Sequence, residues 1–503
     1  MDQAIILVVI GLYMAMMIGI GVYFGNKNKT SEDYFLGGRT LGPWVTAMSA
    51  EASDMSSWLL MGLPGLAYLS GFCDAGWTAI GLIIGTYLNW KIVAKRLRTY
   101  SYVCKNSFTL PDFFSNRFRD EKKILMAVAS ILMVIFFTVY TASGFSACGK
   151  LFNSLFGYDY MTTMIICSIV IILYTSIGGF LAASTTDFIQ GMLMSVSIVV
   201  VLVVGVVEAG GVGAVIENGK SLAGYFSLTD VHDAETGKAV SYGLITVVSG
   251  LAWGLGYFGM PHILVRFMAI KSAKEIKKSR LIAMIWVVIS LAIAVCIGFT
   301  GAKLYPGELS GSASETIFIV MAKDLLPVII VGLIISGILA ATMSTADSQM
   351  LLVSSSIAQN IYKGIFNKKA SEKQVLWISR ATTIVVAIVG MIIASDQDSK
   401  IFELVSYAWS GFGAAFGPLI LFALFWKRTT LAGALSGMLT GGVVSIVWSI
   451  CANNNVAGIF KLYSLLPAFA VSCIVIVVVS LLTKQPSDDI IEEFESVKNY
   501  VED

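Results

Sequence analysis

Charge is what this sequence has least of. Only 13% of its 503 residues are Asp, Glu, Lys or Arg, against about 25% in an ordinary soluble domain. A chain this poor in charge cannot clothe itself in a hydrated surface. Its 56% hydrophobic content therefore calls for a solvent other than water, and a lipid bilayer supplies one. Histidine is nearly missing, with His232 and His262 alone, which removes most metal-enzyme chemistry. The 7 cysteines include no Cys-x-x-Cys pair. Cys148, Cys167, Cys296 and Cys473 lie inside apolar runs, which argues against a disulfide framework or a zinc site. With a net charge of +2 there is no basic field, so nucleic acid is not an expected partner. No basic stretch precedes the first apolar run and no small-residue cleavage site follows it, so residues 4–24 read as a retained helix. The nearest thing to a phosphate-binding loop, AVIENGKS at 214–221, has Ala214 where glycine is required, which rules out an ATP-driven pump.

What the sequence has is apolar length. A helix crosses the ~30 Å hydrocarbon core with about 20 apolar residues. Thirteen stretches meet or approach that, near 4–24, 43–70, 73–96, 124–149, 161–182, 187–208, 240–262, 281–304, 325–362, 375–395, 401–426, 431–452 and 460–483. The expected fold is an all-α integral membrane protein of about 13 spans, with only the short link 182–187 between the fifth and sixth. Of the 34 Lys and Arg, all but Lys150, Lys220, Lys238, Lys303, Lys323, Lys400 and Lys461 fall on one side. That side comprises 25–42, 97–123, 263–280, 363–374 and the tail. Its charges include Lys27, Lys29, Arg39, Arg98, Arg117, Arg119 and Arg266. Positive charge stays cytoplasmic, so the expectation is a multi-pass protein of the cell membrane with its N-terminus outside and its C-terminus inside. The acidic end DDIIEEFESVKNYVED reads as a solvated helix or a disordered tail. The loop 209–239 is Gly-rich and polar, and no separate soluble domain fits anywhere.

Polar groups inside apolar spans are costly and mark function. In 51–58, Glu-Ala-Ser-Asp-Met-Ser-Ser-Trp, two acids and three serines lie mid-span. Serine and aspartate compete for backbone hydrogen bonds, which favours local unwinding near Asp54. Unwound carbonyls and half-helix ends hold cations or carboxylates. Serines alone would suit helix–helix glue; the acid argues for function. In 249–262, four glycines and Pro261 interrupt the seventh span. Trp253 and Tyr257, four residues apart, share a face of any intact turn there and suit the wall of a small pocket. In 341–348, Ser344, Thr345 and Ser348 offer hard oxygens suited to alkali cations, beside an embedded Asp347. Asp187, at the start of the sixth span, reads either as a dipole partner at the inner surface or as the inner end of a cation path. The interrupted spans are the second and the seventh. That spacing makes 43–208 and 240–426 two five-helix repeats of opposite orientation. Residues 1–42 then hold an extra helix and loop, 431–483 two further helices, and 484–503 the acidic tail.

The runs DYFLGGRTLGP (33–43), ASDMSSWLLMGLPG (52–65), FFTVYTASG (136–144), WGLGYFGMPHILVRFMA (253–269), MSTADSQMLLVSSS (343–356) and SYAWSGFGAAFGP (406–418) closely resemble the sodium/solute symporter family, in particular its proline-transporting branch. The resemblance implies the 5+5 inverted-repeat core of the sodium-coupled amino-acid transporter type. It implies sodium-coupled uptake of L-proline by alternating access, with sodium as coupling ion, no other cofactor and no enzymatic activity. It implies sodium ligation by the carbonyls of Ala52, Met55 and Ala341 and the hydroxyls of Ser344 and Thr345, with Asp54 as the family's essential acid. Ser56, Ser57, Trp58, Tyr140, Trp253, Tyr257, Pro261 and Ser348 match pocket positions, and Arg39 a coupling arginine. Asp187, Asp347 and Ser348 mark a candidate second sodium site. The chain departs from the family pattern at Glu51 and Ser57 (glycine), Met260 (glutamine) and Asp347 (serine). Alternatives are symport of another small amino acid or carboxylate and, in a different class, an ion channel. Clustering of the polar groups at one depth disfavours the channel, and hydroxyl and carbonyl ligands suit a metal cation better than a proton.

Overall fold

The computed structural model describes residues 2–25 and 31–500. Lys27 and Lys29 lie outside them. The chain is helical almost throughout, as apolar segments must be where lipid offers no hydrogen bonds to the backbone. In order, helices α1 (Asp2–Gly25), α2 (Ser31–Leu36), α3 (Pro43–Ser57), α4 (Leu63–Ser70), α5 (Phe72–Leu88), α6 (Ala94–Val103), α7 (Leu110–Arg117), α8 (Ile124–Phe156), α9 (Tyr160–Glu208) and α10 (Val212–Ser221) form the first half. A hairpin of β1 (Asp230–Asp233) and β2 (Lys238–Ser241) follows. Then come α11 (Gly243–Ala252), α12 (Pro261–Ala269), α13 (Ile276–Leu304), α14 (Ile317–Leu325), α15 (Val328–Ser355), α16 (Glu372–Ile393), α17 (Ile401–Phe425), α18 (Leu431–Asn453), α19 (Leu465–Leu482) and α20 (Asp488–Asn499).

Among the described residues nine helices are long and apolar enough to cross a membrane, and the α11–α12 pair, bent by 42°, makes a tenth. The other expected spans are also helical but shorter or interrupted. One is α3–α4, joined by a π-helical turn, Trp58–Gly62. Another is α5–α6, joined by the π-helical turn Asn89–Val93. The last is the first arm of α9, whose apolar part is Tyr160–Leu173. α15 and α17 are the most enclosed, with 78% and 83% of their apolar windows buried, whereas α1, α16 and α19 stand at 28%. The polar run 341–348 thus lies on a central helix.

Three expectations are corrected. The break between the fifth and sixth spans falls not at 182–187 but at Gly179, which takes φ 69° inside α9, a conformation glycine adopts without strain. The seventh span does not stop at residue 262; α12 carries it to Ala269, so Arg266 is a buried helix residue and not a loop charge. The loop 209–239 is not merely polar coil: it holds α10 and most of the hairpin. The tail takes the helical option as α20.

Candidate functional site

The breaks in the two interrupted spans face each other, Trp58 against Trp253 and Asp54 against Tyr257. α3 loses regular geometry at Ser56 (φ 47°, ψ −170°). Its hydroxyl accepts from the Trp58 backbone N–H at 3.1 Å, replacing part of the lost ladder. On the second span, α11 tightens into a 3₁₀ turn, Trp253–Phe258, before α12 restarts at Pro261. Proline is suited to that first helical position because it has no N–H to satisfy there.

Four of the expected cation-binding residues converge where α3 meets α15. The Ser344 hydroxyl donates to the Ala52 carbonyl at 2.9 Å, and Ser344 and Thr345 both reach the Ala341 carbonyl, at 3.2 and 3.1 Å. All are buried. This set of hydroxyls and carbonyls has the hardness an alkali cation prefers, so the residues fit sodium as cargo. Met55 is buried on the same break, with its carbonyl facing the Trp58 N–H. The Asp54 carboxylate points elsewhere. It accepts from the Tyr257 hydroxyl at 2.7 Å, and its other oxygen is 3.9 Å from His262 Nε2. Asp54 therefore ties the two broken helices to each other, and Tyr140 donates to its backbone carbonyl at 3.0 Å.

The aromatic residues roof this centre. Trp58 stacks on Trp253 (5.8 Å), and Trp253 stacks on Tyr463 (5.2 Å) and meets Phe402 (5.1 Å). Trp409 donates to the Trp253 carbonyl at 2.8 Å and packs edge-on against Tyr257. Above the roof opens a cavity of about 470 Å³ lined in part by Asp74, Tyr242, Trp253, Phe402, Lys461 and Tyr463. Phe402 is fixed by its helix start: Glu315 accepts from the N–H groups of Ile401 and Phe402, each at 3.0 Å, and pairs with buried Lys150 at 2.8 Å. Ser57 and Pro261 are buried at the two breaks.

Ser348 is not with the aromatic residues. Its hydroxyl accepts from Arg266 at 2.5 Å and lies 3.2 Å from Asp347. Arg266 also pairs with Asp187 (3.0 Å) and donates to Ser49 (3.0 Å), while Ser49 donates to Asp187 at 2.6 Å. Asp187, two turns beyond the Gly179 break and fully buried, is thus neither a surface dipole partner nor open to solvent. The structure gathers the candidate second-site residues around a guanidinium that the sequence reading had placed in a loop. The missed signal was available: Arg266 stands within PHILVRFMAI, where no other charge occurs. Arg39 lies in the turn before α3, donating to Asn106 (3.0 Å), Ser101 (3.1 Å), the Ser107 carbonyl (2.7 Å) and the Met268 carbonyl (2.5 Å). It ties the turn before α3 to the α6–α7 link and to α12.

A helical bundle whose two broken spans meet over a cluster of hard oxygens defines a secondary transporter of the sodium-coupled type. The solved structure of a Na+-coupled sialic acid symporter, in a substrate-bound outward-open state, shares the fold with a TM-score of 0.76 at 23% identity, covering 96% of this chain and 99% of that one. MHP1, a nucleobase-cation-symport-1 family transporter in a closed conformation, matches at 0.54 and 13% identity over 93% of this chain and 99% of that one. The model of the sodium:solute symporter family matches residues 34–441, and the chain belongs to that family: it is a transporter and not an enzyme. Among its curated relatives are the high-affinity proline transporter PutP of Bacillus subtilis (44% identical; 95% of this chain, 98% of that protein) and the sodium/proline symporters of Haemophilus influenzae (42%; 99% and 98%) and Escherichia coli (43%; 96% and 94%).

Proposed function

We propose that this chain takes up L-proline with sodium by alternating access. The observation that carries the reading is identity of 42–44% over nearly the full length of relatives named as proline transporters. Sodium enters from the outer cavity and binds the Ala52, Met55 and Ala341 carbonyls with Ser344 and Thr345. Two of these groups belong to the broken α3 and three to α15, so the ion draws the helices together and orders the pocket beside Asp54, Tyr140, Trp253 and Tyr257. Proline then binds more tightly, and by linkage tightens sodium equally. Proline is a zwitterion, so each sodium carries net charge inward and the membrane potential contributes about 2.3 kcal/mol per charge per 100 mV. The N-terminus is outside and the C-terminus cytoplasmic, with 43–208 and 240–426 as the inverted repeats.

A second sodium is assigned to Asp187, Asp347 and Ser348. What supports it is charge: Arg266 offsets Asp187, and Asp347 adds an acid whose Oδ2 is buried and unpartnered. Asp347→Asn should lower the Hill slope for sodium; an unchanged slope and sodium dependence would remove this second site.

The deciding experiment is radiolabelled proline uptake into proteoliposomes with and without an inward sodium gradient. Gradient-dependent accumulation is expected, and Asp54→Ala should abolish it. Normal uptake by that variant would sink the assignment.

A further inference from the structure

An amino-acid zwitterion carries two charges, and the buried acid Asp54 can answer only the ammonium, which leaves the carboxylate without a reader. The group facing Asp54 from the other broken helix is His262. Its Nε2 lies 3.9 Å from Asp54 Oδ1, beyond hydrogen-bonding distance. Both ring nitrogens of His262 and that oxygen of Asp54 are buried with no hydrogen-bond partner. Buried polar atoms left unpaired are costly and rare, and here donor and acceptor confront each other at the two helix breaks.

The imidazole is held in place from three sides. Phe137 packs against it at 5.8 Å, and Tyr140 meets it edge-on at 6.2 Å. Its own backbone carbonyl is gripped by Arg266 at 2.7 Å. His262 stands in the first turn of the nine-residue α12, whose N-terminal end carries the positive pole of the helix dipole. That is where a carboxylate is favoured and an ammonium is not. The neighbouring donors Ser57 and Trp58 also have unpartnered polar atoms, but they lie on the α3 side with Asp54. His262 is the donor contributed by the other broken helix.

We propose that His262 reads the carboxylate of the substrate, its ring N–H donating to that group while Asp54 Oδ1 holds the substrate nitrogen. The α-amino-acid pattern places both charges on one carbon, so a donor and an acceptor a few ångströms apart engage both ends at once. Binding then bridges α3 to α12 through the substrate itself, which gives the zwitterion a mechanical role in closing the two breaks together. The inference rests on the amino-acid reading given above. Because Arg266 clamps the same residue and pairs with Asp187, seating the carboxylate also reaches the inner charge cluster through one turn of α12.

The test is competition of radiolabelled L-proline uptake, in proteoliposomes of the full chain, by L-prolinamide, whose carboxylate is neutralised. Wild type should prefer proline by at least about 10-fold. His262→Phe keeps the ring and loses the donor; it should reduce that preference by about 10- to 100-fold, the range for a hydrogen bond to a charged group, through a raised KM for proline. His262→Gln, which restores an N–H, should recover most of it. If His262→Phe does not fold, His262→Met against His262→Gln reads the same ratio with side chains of similar length. A wild type blind to the amide, or a folded donor-less variant with the wild-type preference, overturns the inference while leaving proline uptake intact. Absence of sodium-driven proline uptake by wild type removes the substrate reading and this inference with it.

Discussion

Arg266 has 1% of its side chain exposed and sits against Asp187 at 0%. A buried ion pair adds little net stability over an apolar pair, but breaking it strands a charge. Arg266→Met should therefore cost about 3–5 kcal/mol, read as a lower melting temperature of the purified protein in detergent. Arg266→Met with Asp187→Asn should recover part of that loss, because the Asp187 carboxylate is no longer stranded, while Asp347 still lacks a cation beside it. Equal melting temperatures for the single and double variants would show that the pair does not act as a unit. Ser344 poses a different question. Its hydroxyl bridges the Ala52 and Ala341 carbonyls, so Ser344→Ala should leave folding nearly intact while raising the sodium concentration for half-maximal uptake by about 10-fold or more. An unchanged sodium requirement would place the ion elsewhere. Ser344 and Asp54 were legible because each is polar in an otherwise apolar run. The direction of the Asp54 side chain was not, since its partner Tyr257 and its neighbour His262 stand about two hundred residues away in sequence.

Interrupted helices are what make the site, and their existence was readable from local chemistry. Serine and aspartate around Ser56 and the glycines before Pro261 oppose regular helix on their own account. Where α9 bends was harder to read: Gly179 and the small residues around it fit an intact helix or a broken one, and only packing decides. The glycines have a second use between elements. Gly81 and Gly85 of α5 face Gly254 of the 3₁₀ turn so closely that a methyl group on Gly85 would overlap the Gly254 backbone, and one on Gly254 would overlap the Gly81 carbonyl. Small residues permit such backbone approach between membrane helices, and here they seat the turn that carries Trp253 and Tyr257. Gly85→Ala should cost about 1–3 kcal/mol through overpacking and impair proline uptake more than sodium binding, because it displaces the aromatic turn and not α15. Wild-type stability and proline KM in that variant would show that the contact yields freely.

Across the whole molecule, water-exposed charge also docks an element, the tail helix α20. Ile490, Phe494 and Val497 form its buried face, at the spacing of one helical stripe, a pattern present in the sequence but outweighed there by the acidic composition. Phe494 lies under Arg96 (4.7 Å) and Arg117 (5.3 Å). Arg119 pairs with Asp489 (3.3 Å) and Glu493 (2.9 Å), and Lys427 with Glu495 (3.3 Å). Since α6 is itself tied to the stretch after α12 by Arg98, which donates to the Ile270 carbonyl at 2.6 Å, the tail links the end of α12 to the α17–α18 corner. Two of its acids are held below their ordinary values, Asp489 by the Ser487 hydroxyl and then Arg119, Glu495 by Lys498 and then Lys427. Ser487 and Lys498 belong to the tail and act docked or free; only the Arg119 and Lys427 contributions arise on docking, and these stabilise the docked state fully above the free carboxylate value, about 4, and are lost as pH falls through the lower docked value. Docking should therefore be intact at neutral pH and weaken below about pH 4, and raised salt should weaken it at any pH by screening the exposed pairs. Amide hydrogen exchange over residues 488–499 measures this directly, with the spans α15 and α17 as internal reference. Phe494→Ala should give fast exchange in α20 already at neutral pH, and protection that ignores acid, salt and this substitution alike would mean that the tail is held by something other than its charges and its apolar stripe.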